Sequence, residues 1–209
     1  MSADTPARLA LLRELRDEIL LHYGSGRPAV AVDGLDRAAT GRFADDLAAT
    51  FAERGHAVVR ASLDGFRRTP DAGESSTAVG FADRYDVDAF RAELVTPFRR
   101  GGEAGFRLAT ADDDGRPDER PLATTEPDSV LLVDGAFLLQ SALIGTWNSS
   151  IFLEVPLDLV AERTASDPNV PSADELRAYV AQVRPRTRAV AIVDGSDADA
   201  PVRRYADSC

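Results

Sequence analysis

Residues 30–47, which read VAVDGLDRAATGRFADDL, decide the fold of this chain. An apolar run ends in a loop of small residues, and the segment that follows carries Phe43, Leu47 and then Phe51 at helical spacing. This order of strand, small-residue loop and helix gathers backbone N–H groups at a helix N-terminus, which is a favourable place for a phosphate group. The stretch therefore predicts a buried strand, a phosphate-binding loop and a helix that packs on the sheet.

The loop departs from the usual phosphate-binding pattern at the positions that carry the chemistry. That pattern is Gly, four residues, Gly, Lys and then Ser or Thr. Counted from Gly34, the last three positions are Ala39, Thr40 and Gly41. The chain contains no lysine at all, so only arginine can supply fixed positive charge. Two rescues stay open: Arg37 or Arg42 replaces the lysine, or the Thr40 hydroxyl holds a metal from a neighbouring position.

Composition limits both the class of protein and its partners. With 209 residues, 44% of them hydrophobic, the chain is long enough for one α/β domain at residues 29–209, with residues 1–28 forming an amphipathic helix that packs on it. The net charge of −11 argues against nucleic acid and anionic membranes as partners and favours a small molecule. The lone cysteine, Cys209, and the lack of a signal peptide or spanning segment predict a cytoplasmic protein. The oligomeric state stays open.

Alternating strand and helix patterns predict a parallel sheet with helices on both faces. Besides the central stretch, the patterns indicate helices at 7–23, 86–98, 157–166 and 173–182, and strands at 29–32, 57–62, 130–133, 150–155 and 189–193. Residues 67–80 and 101–128 are predicted as loops, with one short hairpin near Phe106. Ligands of such sheets bind beyond the carboxyl ends of the strands. The acids expected there are Asp33, Asp36, Asp64, Asp134 and Asp194.

Several segments, taken in order, resemble the uridine kinase-like P-loop phosphotransferases. They are residues 30–47, 61–66 (ASLDGF), 85–90 (YDVDAF), 130–139 (VLLVDGAFLL), 152–163, and 192–194 with Asp199 and Pro201. The resemblance covers most of the chain from residue 29 onward. It implies a three-layer α/β fold of the P-loop NTPase type.

The resemblance also implies a reaction and a set of site residues. Members of the family transfer the γ-phosphate of ATP, with Mg²⁺, to a hydroxyl of a nucleoside-like small molecule. Asp64 matches the catalytic carboxylate, Arg163 matches an arginine that covers the transferring phosphate, and Asp64 with Asp134 would hold Mg²⁺. The substrate positions are Phe66, Tyr85, Asp86 and Phe106. The phosphate positions are Gly34, Asp36, Arg37, Ala38, Ala39, Thr40, Gly41 and Arg42.

The altered loop leaves two functional hypotheses open. The first is a weak nucleoside or small-molecule kinase that uses ATP and Mg²⁺. The second is a catalytically inactive pseudokinase that acts as a ligand-binding or regulatory module and needs neither. The lid segment, which follows Arg163, is altered as well. The family has a second arginine just before an aspartate, whereas here Ser166 stands before Asp167. Two plainer interpretations are that Asp86 only caps a helix and that Arg184, Arg186 and Arg188 only flank the last strand.

Overall fold

The fold is known from a computed structural model that describes residues 5–68, 80–101, 103–111, 116, 118–164 and 170–205. The strands are β1 (Ala29–Gly34), β2 (Val58–Ser62), β3 (Val130–Gly135), β4 (Ser149–Glu154), β5 (Ala191–Asp194) and β6 (Val202–Arg204). The helices are α1 (Pro6–Tyr23), α2 (Arg37–Ala52), α3 (Val87–Ala89), α4 (Thr96–Arg99), α5 (Leu157–Thr164), α6 (Ala173–Val183) and α7 (Pro185–Arg188). A π-helical turn, Phe90–Val95, joins α3 to α4, so that 87–99 runs as one helical segment.

The six strands form one sheet in the order β2-β3-β1-β4-β5-β6. The pairs from β2 to β5 are all parallel, and β6 pairs antiparallel with β5. The register sets Asp134 of β3 opposite Ser62 of β2, and Gly135 opposite Asp33 of β1. The ends of the three strands therefore lie side by side at one edge of the sheet. The α/β architecture predicted from the sequence is confirmed, while the three-residue strand β6 carries too weak a pattern to be predicted.

The two faces of the sheet bury separate cores because side chains alternate along each strand. Val30 and Val32 of β1 pack with the apolar sides of α1 and α2, including Phe43, Leu47 and Phe51. Ala29 and Ala31, on the opposite face, belong to an aromatic core that is covered by the 87–99 segment and α6. Both faces of β1 are thus covered, which explains its continuous apolar sequence.

Helix α1 lies on α2 and is held there by both apolar and ionic contacts. Thr5 caps α1, since its side chain accepts a hydrogen bond from the Arg8 N–H. Arg8 also pairs with Asp46 of α2 at 2.6 Å, and Arg16 pairs with Glu53 at 3.0 Å. The N-terminal helix is therefore part of the α2 side of the fold.

Other parts of the sequence prediction fall on less regular segments. The hairpin expected near Phe106 is a single antiparallel bridge between Phe106 and Ala123. Residues 69–79, most of the predicted 67–80 loop, lie outside the described residues, as do Asp112 to Asp114. In the described part of the chain, none of the helices combines the length and the apolar character that crossing a bilayer requires.

Candidate functional site

The connection from β1 to α2 is much tighter than a phosphate loop. Strand β1 ends at Gly34 and α2 begins at Arg37, so only Leu35 and Asp36 join them. Asp36 is the N-cap of α2: its backbone is extended, and its Oδ1 accepts a hydrogen bond from the Ala39 N–H at 3.0 Å. Ala39 is already helical. Binding of a phosphate at this two-residue connection stays a prediction.

Thr40 closes this turn from inside. Its hydroxyl donates to the Asp36 carbonyl oxygen at 2.7 Å, and the residue is fully buried. A Cβ at Gly34 would lie 2.4 Å from Thr40 Oγ1, so glycine is needed there to let the threonine in. The Thr40 hydroxyl is thus used within the turn, and its role as a metal ligand stays a prediction. Arg42 lies exposed on α2, two residues after Thr40.

The Asp36 carboxylate occupies the N-terminus of α2 together with the predicted lid arginine. Asp36 Oδ2 accepts a hydrogen bond from Arg163 Nη1 at 3.1 Å, and Arg163 Nη2 donates to the Ser196 carbonyl oxygen at 3.0 Å. The Asp36 side chain is 3% exposed. A helix N-terminus and a guanidinium together attract an anion. In this protein the anion they hold is the chain's own aspartate.

Asp64 lies just after β2, in the 3-10 turn Leu63–Phe66, and both of its oxygens are engaged. Oδ2 accepts from Arg37 Nε at 2.8 Å. Oδ1 accepts from Arg67 Nη2 at 2.9 Å and from the Tyr85 hydroxyl at 3.0 Å. Burial, reinforced by the Asp64 charge, raises the pKa of Tyr85 well above its usual value, so the tyrosine stays a proton donor to Asp64.

Asp134 is the penultimate residue of β3 and pairs with Arg60 of β2, whose Nη2 lies 2.8 Å from Asp134 Oδ1. Burial raises the pKa of Asp134 and outweighs the opposing effect of Arg60. A Cβ at position 41 would lie 3.7 Å from Asp134 Oδ2. Residue 41 therefore faces the carboxylate as a metal-holding hydroxyl would, but Gly41 has none. Among the described residues, no cluster of three or more acids, histidines or cysteines could hold a metal ion.

The predicted substrate residues are in the core or at a helix end. Phe66 and Phe106 are fully buried, and each ring packs edge-on against another phenylalanine of the same core, Phe90 and Phe98 respectively. Both rings therefore pack in the core, and their contact with a substrate stays a prediction. Asp86 caps α3 by accepting the Ala89 N–H at 2.8 Å. Its contact with a substrate stays a prediction.

Two arginines of the basic cluster after α6 make contacts with other segments of the fold. Arg186 pairs with Glu154 of β4, and Arg188 Nη1 donates to the Leu139 carbonyl oxygen at 3.0 Å. This agrees with the plainer interpretation of the cluster. The lid positions Ser166 and Asp167 lie outside the described residues.

Sequence reasoning missed a buried polar pair at the end of β1. Asp33 is fully buried, and it accepts hydrogen bonds from the Tyr179 hydroxyl at 2.5 Å and from the Leu138 N–H at 3.1 Å. Burial raises the pKa of Asp33 to about 7 despite these bonds. An aspartate at the end of a buried strand was visible in the sequence, but its partner on α6 lies 146 residues away.

No protein-family model matches this sequence, and a search of the curated proteins found no match either. Solved structures do match. A possible uridine kinase from Bacillus stearothermophilus superposes with a TM-score of 0.68 at 18% identity, covering 87% of this chain and 96% of that one. The chain has the fold of a P-loop kinase.

Two further structures agree with this P-loop kinase fold. A proposed fructose transport system kinase from Silicibacter sp. gives a TM-score of 0.61 at 22% identity, covering 83% of this chain and 92% of that one. The YGR205w protein gives a TM-score of 0.57 at 13% identity, covering 97% and 100%. The P-loop kinase fold puts the β1–α2 turn at the centre of the sheet edge, between the ends of β3 and β4.

Proposed function

We propose that this protein is a pseudokinase: it binds a nucleoside-like or other small molecule beside Asp64 but does not transfer phosphate from ATP. The observation that carries the proposal is the Asp36 carboxylate, which occupies the helix N-terminus and pairs with Arg163. The net charge of −11 is consistent with a small-molecule ligand in the cytoplasm, with neither nucleic acid nor a membrane as partner.

The electrostatics of the turn oppose a triphosphate. An incoming phosphate would meet a carboxylate of the same sign, and it would have to displace Asp36 from both Ala39 and Arg163. Losing the N-cap costs about 1 kcal/mol. The missing lysine removes a charge contact worth roughly 3 kcal/mol in a transition state. These two effects act in the same direction, so turnover of ATP is strongly disfavoured.

The residues around Asp134 do not fit Mg²⁺ either. Magnesium is usually held by carboxylates, waters and substrate phosphates, with a P-loop hydroxyl in this fold. Here Gly41 supplies no hydroxyl, and Arg60 already neutralises Asp134. A metal would have to displace that guanidinium.

The test is binding of Mg-ATP, measured by isothermal titration calorimetry and by thermal unfolding at millimolar nucleotide. We expect no heat of binding and no rise in Tm for the natural chain. The informative variant is Asp36→Ala, which frees the helix N-terminus and is expected to gain a weak ATP-dependent rise in Tm. Asp174→Ala is the matched control, because Asp174 lies in the first turn of α6 and its side chain is 94% exposed. A rise in Tm of the natural chain that disappears in Asp134→Ala would refute the proposal.

Arg37 favours a second candidate, a weak phosphotransferase in which this arginine replaces the lysine. Arg37 is the first residue of α2, its side chain is 34% exposed, and it already reaches Asp64. This candidate predicts slow, ATP-dependent phosphorylation of a nucleoside such as uridine, followed with radiolabelled ATP. The labelled product should disappear in both Arg37→Gln and Asp64→Asn. If neither the natural chain nor any variant makes product, the pseudokinase proposal stands.

A further inference from the structure

A cleft of about 1060 Å³ opens beside Asp64 at the carboxyl end of β2. One wall is formed by β2 and the turn that follows it. The other is formed by Leu108, Ala109, Ala111, Arg116 and residues 118–120. Arginines from three different parts of the chain line the cleft: Arg37, Arg60, Arg116 and Arg120. Such a set is unexpected in a protein whose net charge is −11.

The outer wall is anchored directly on the turn after β2. The Thr110 N–H donates to the Gly65 carbonyl oxygen at 2.8 Å. A Cβ at Gly65 would lie only 2.6 Å from the Ala109 Cβ, so the absence of a side chain lets the two segments touch. The cleft is therefore formed by packed backbone, and its apolar lining includes Leu108 and Ala109.

In two ion pairs of the cleft the carboxylate lies deeper than the guanidinium. In the Arg37–Asp64 pair, the aspartate side chain is 8% exposed and the arginine 34%. In the Arg120–Asp118 pair, the aspartate is 9% exposed and the arginine 65%. The buried acids orient the arginines but present little negative charge to solvent. A ligand that approaches these two pairs therefore meets the guanidinium groups first.

Among the described residues, the exposed rim of the cleft also carries more positive than negative charge. Of the described residues in 116–120, the exposed lining residues are Arg116, Glu119 and Arg120, which gives two positive charges against one negative. Guanidinium groups bind carboxylate and phosphate oxygens through paired, charge-assisted hydrogen bonds. We propose that the ligand of this cleft is a small organic anion, a molecule that carries a carboxylate or a phosphate group. This inference rests on the proposed ligand-binding function and names the class of ligand.

The experiment uses a matched set of probes on the full chain: glycerol, D-glycerate and glycerol 3-phosphate, which share a carbon skeleton and differ in charged group. Binding is measured by calorimetry and by ¹H–¹⁵N chemical shifts. We expect one or both anions to bind and glycerol not to bind, and comparison of the two anions tells a carboxylate ligand from a phosphate ester. Arg120→Gln and Arg37→Gln should each weaken binding by about tenfold, since each removes a charge-assisted hydrogen bond. Glu119→Gln should strengthen it.

Arg177→Gln is the matched control. The Arg177 side chain is also 65% exposed and pairs with an aspartate at 2.9 Å, but it lies on α6 and does not line the cleft. Equal weakening by Arg177→Gln and Arg120→Gln would show that only the overall charge matters and would overturn the inference. Binding of glycerol as tight as that of the anions would overturn it too, as would the absence of binding by every probe. Those outcomes differ from failure of the pseudokinase proposal, which shows as ATP binding or phosphate transfer.

Discussion

The buried Asp33 predicts that the stability of this protein falls as the pH rises from 4 to 7. Its pKa is raised from 3.8 to about 7 in the folded chain, mainly by burial. Between these two values the folded protein keeps a proton that the unfolded chain releases. Raising the pH therefore favours unfolding in this window, and the loss is complete above the folded pKa.

The size of the effect follows from the separation of the two pKa values. A difference of about 3 pH units corresponds to a loss on the order of 4 kcal/mol in the free energy of unfolding. Asp33→Asn removes the titration while keeping the shape of the side chain. The amide loses one acceptor, so the variant should be less stable than the natural chain at pH 4, where Asp33 accepts from Tyr179 and Leu138.

The measurement is urea unfolding of both proteins, followed by circular dichroism at several pH values from 4 to 8. Other shifted groups contribute equally to both curves, so the difference between the two free energies isolates Asp33. We expect the advantage of the natural chain to shrink by several kcal/mol over this range and then to stay constant. An advantage that is the same at pH 4 and pH 8 would refute the assignment of a buried, proton-holding Asp33.

Three substitutions test the turns around the site through the free energy of unfolding in urea. Asp36→Ala should cost about 1 kcal/mol more than Asp36→Asn, because asparagine is as good an N-cap as aspartate and alanine is not. Gly65→Ala should cost about 2 kcal/mol, because the added Cβ meets Ala109 at 2.6 Å and forces the outer wall of the cleft away. Tyr85→Phe should cost about 2 kcal/mol, because it deletes a buried hydrogen bond to the carboxyl group of Asp64.

Each of these three predictions has a result that would contradict it or a control that it must pass. Equal stability of Asp36→Ala and Asp36→Asn would mean that the side chain does not cap α2. Gly80→Ala is the control for Gly65→Ala, because a Cβ at Gly80 would meet nothing within 4 Å and should change stability little. If Tyr85→Phe leaves the free energy of unfolding unchanged, the hydrogen bonds from Arg37 and Arg67 alone satisfy Asp64.

The periodic parts of this fold could be predicted from the sequence because they depend on local pattern. The continuous apolar run of β1 and the spacing of Phe43, Leu47 and Phe51 on α2 predict a buried strand and a sheet-packed helix, and both are present. Asp33, Asp134 and the turn that carries Asp64 lie at the same edge of the sheet, because parallel strands in register bring their carboxyl ends to one edge. Strand β6 could not be predicted, since three residues are too few to show a period.

The pairing of the charged residues depends on contacts between distant segments, so no local pattern could reveal it. Asp36 meets Arg163 across 127 positions, and Asp33 meets Tyr179 across 146.

The sequence by itself determined that the residues of a phosphate loop are missing after β1, because the absence of lysine needs no structure to observe. Only the tertiary structure decided what stands in their place. Helix α2 begins at Arg37, and Asp36 caps its N-terminus. The two-residue turn places the Asp36 side chain where it accepts a hydrogen bond from a free N–H group of the helix and pairs with Arg163. That placement is set by how the sheet, α2 and α5 pack together.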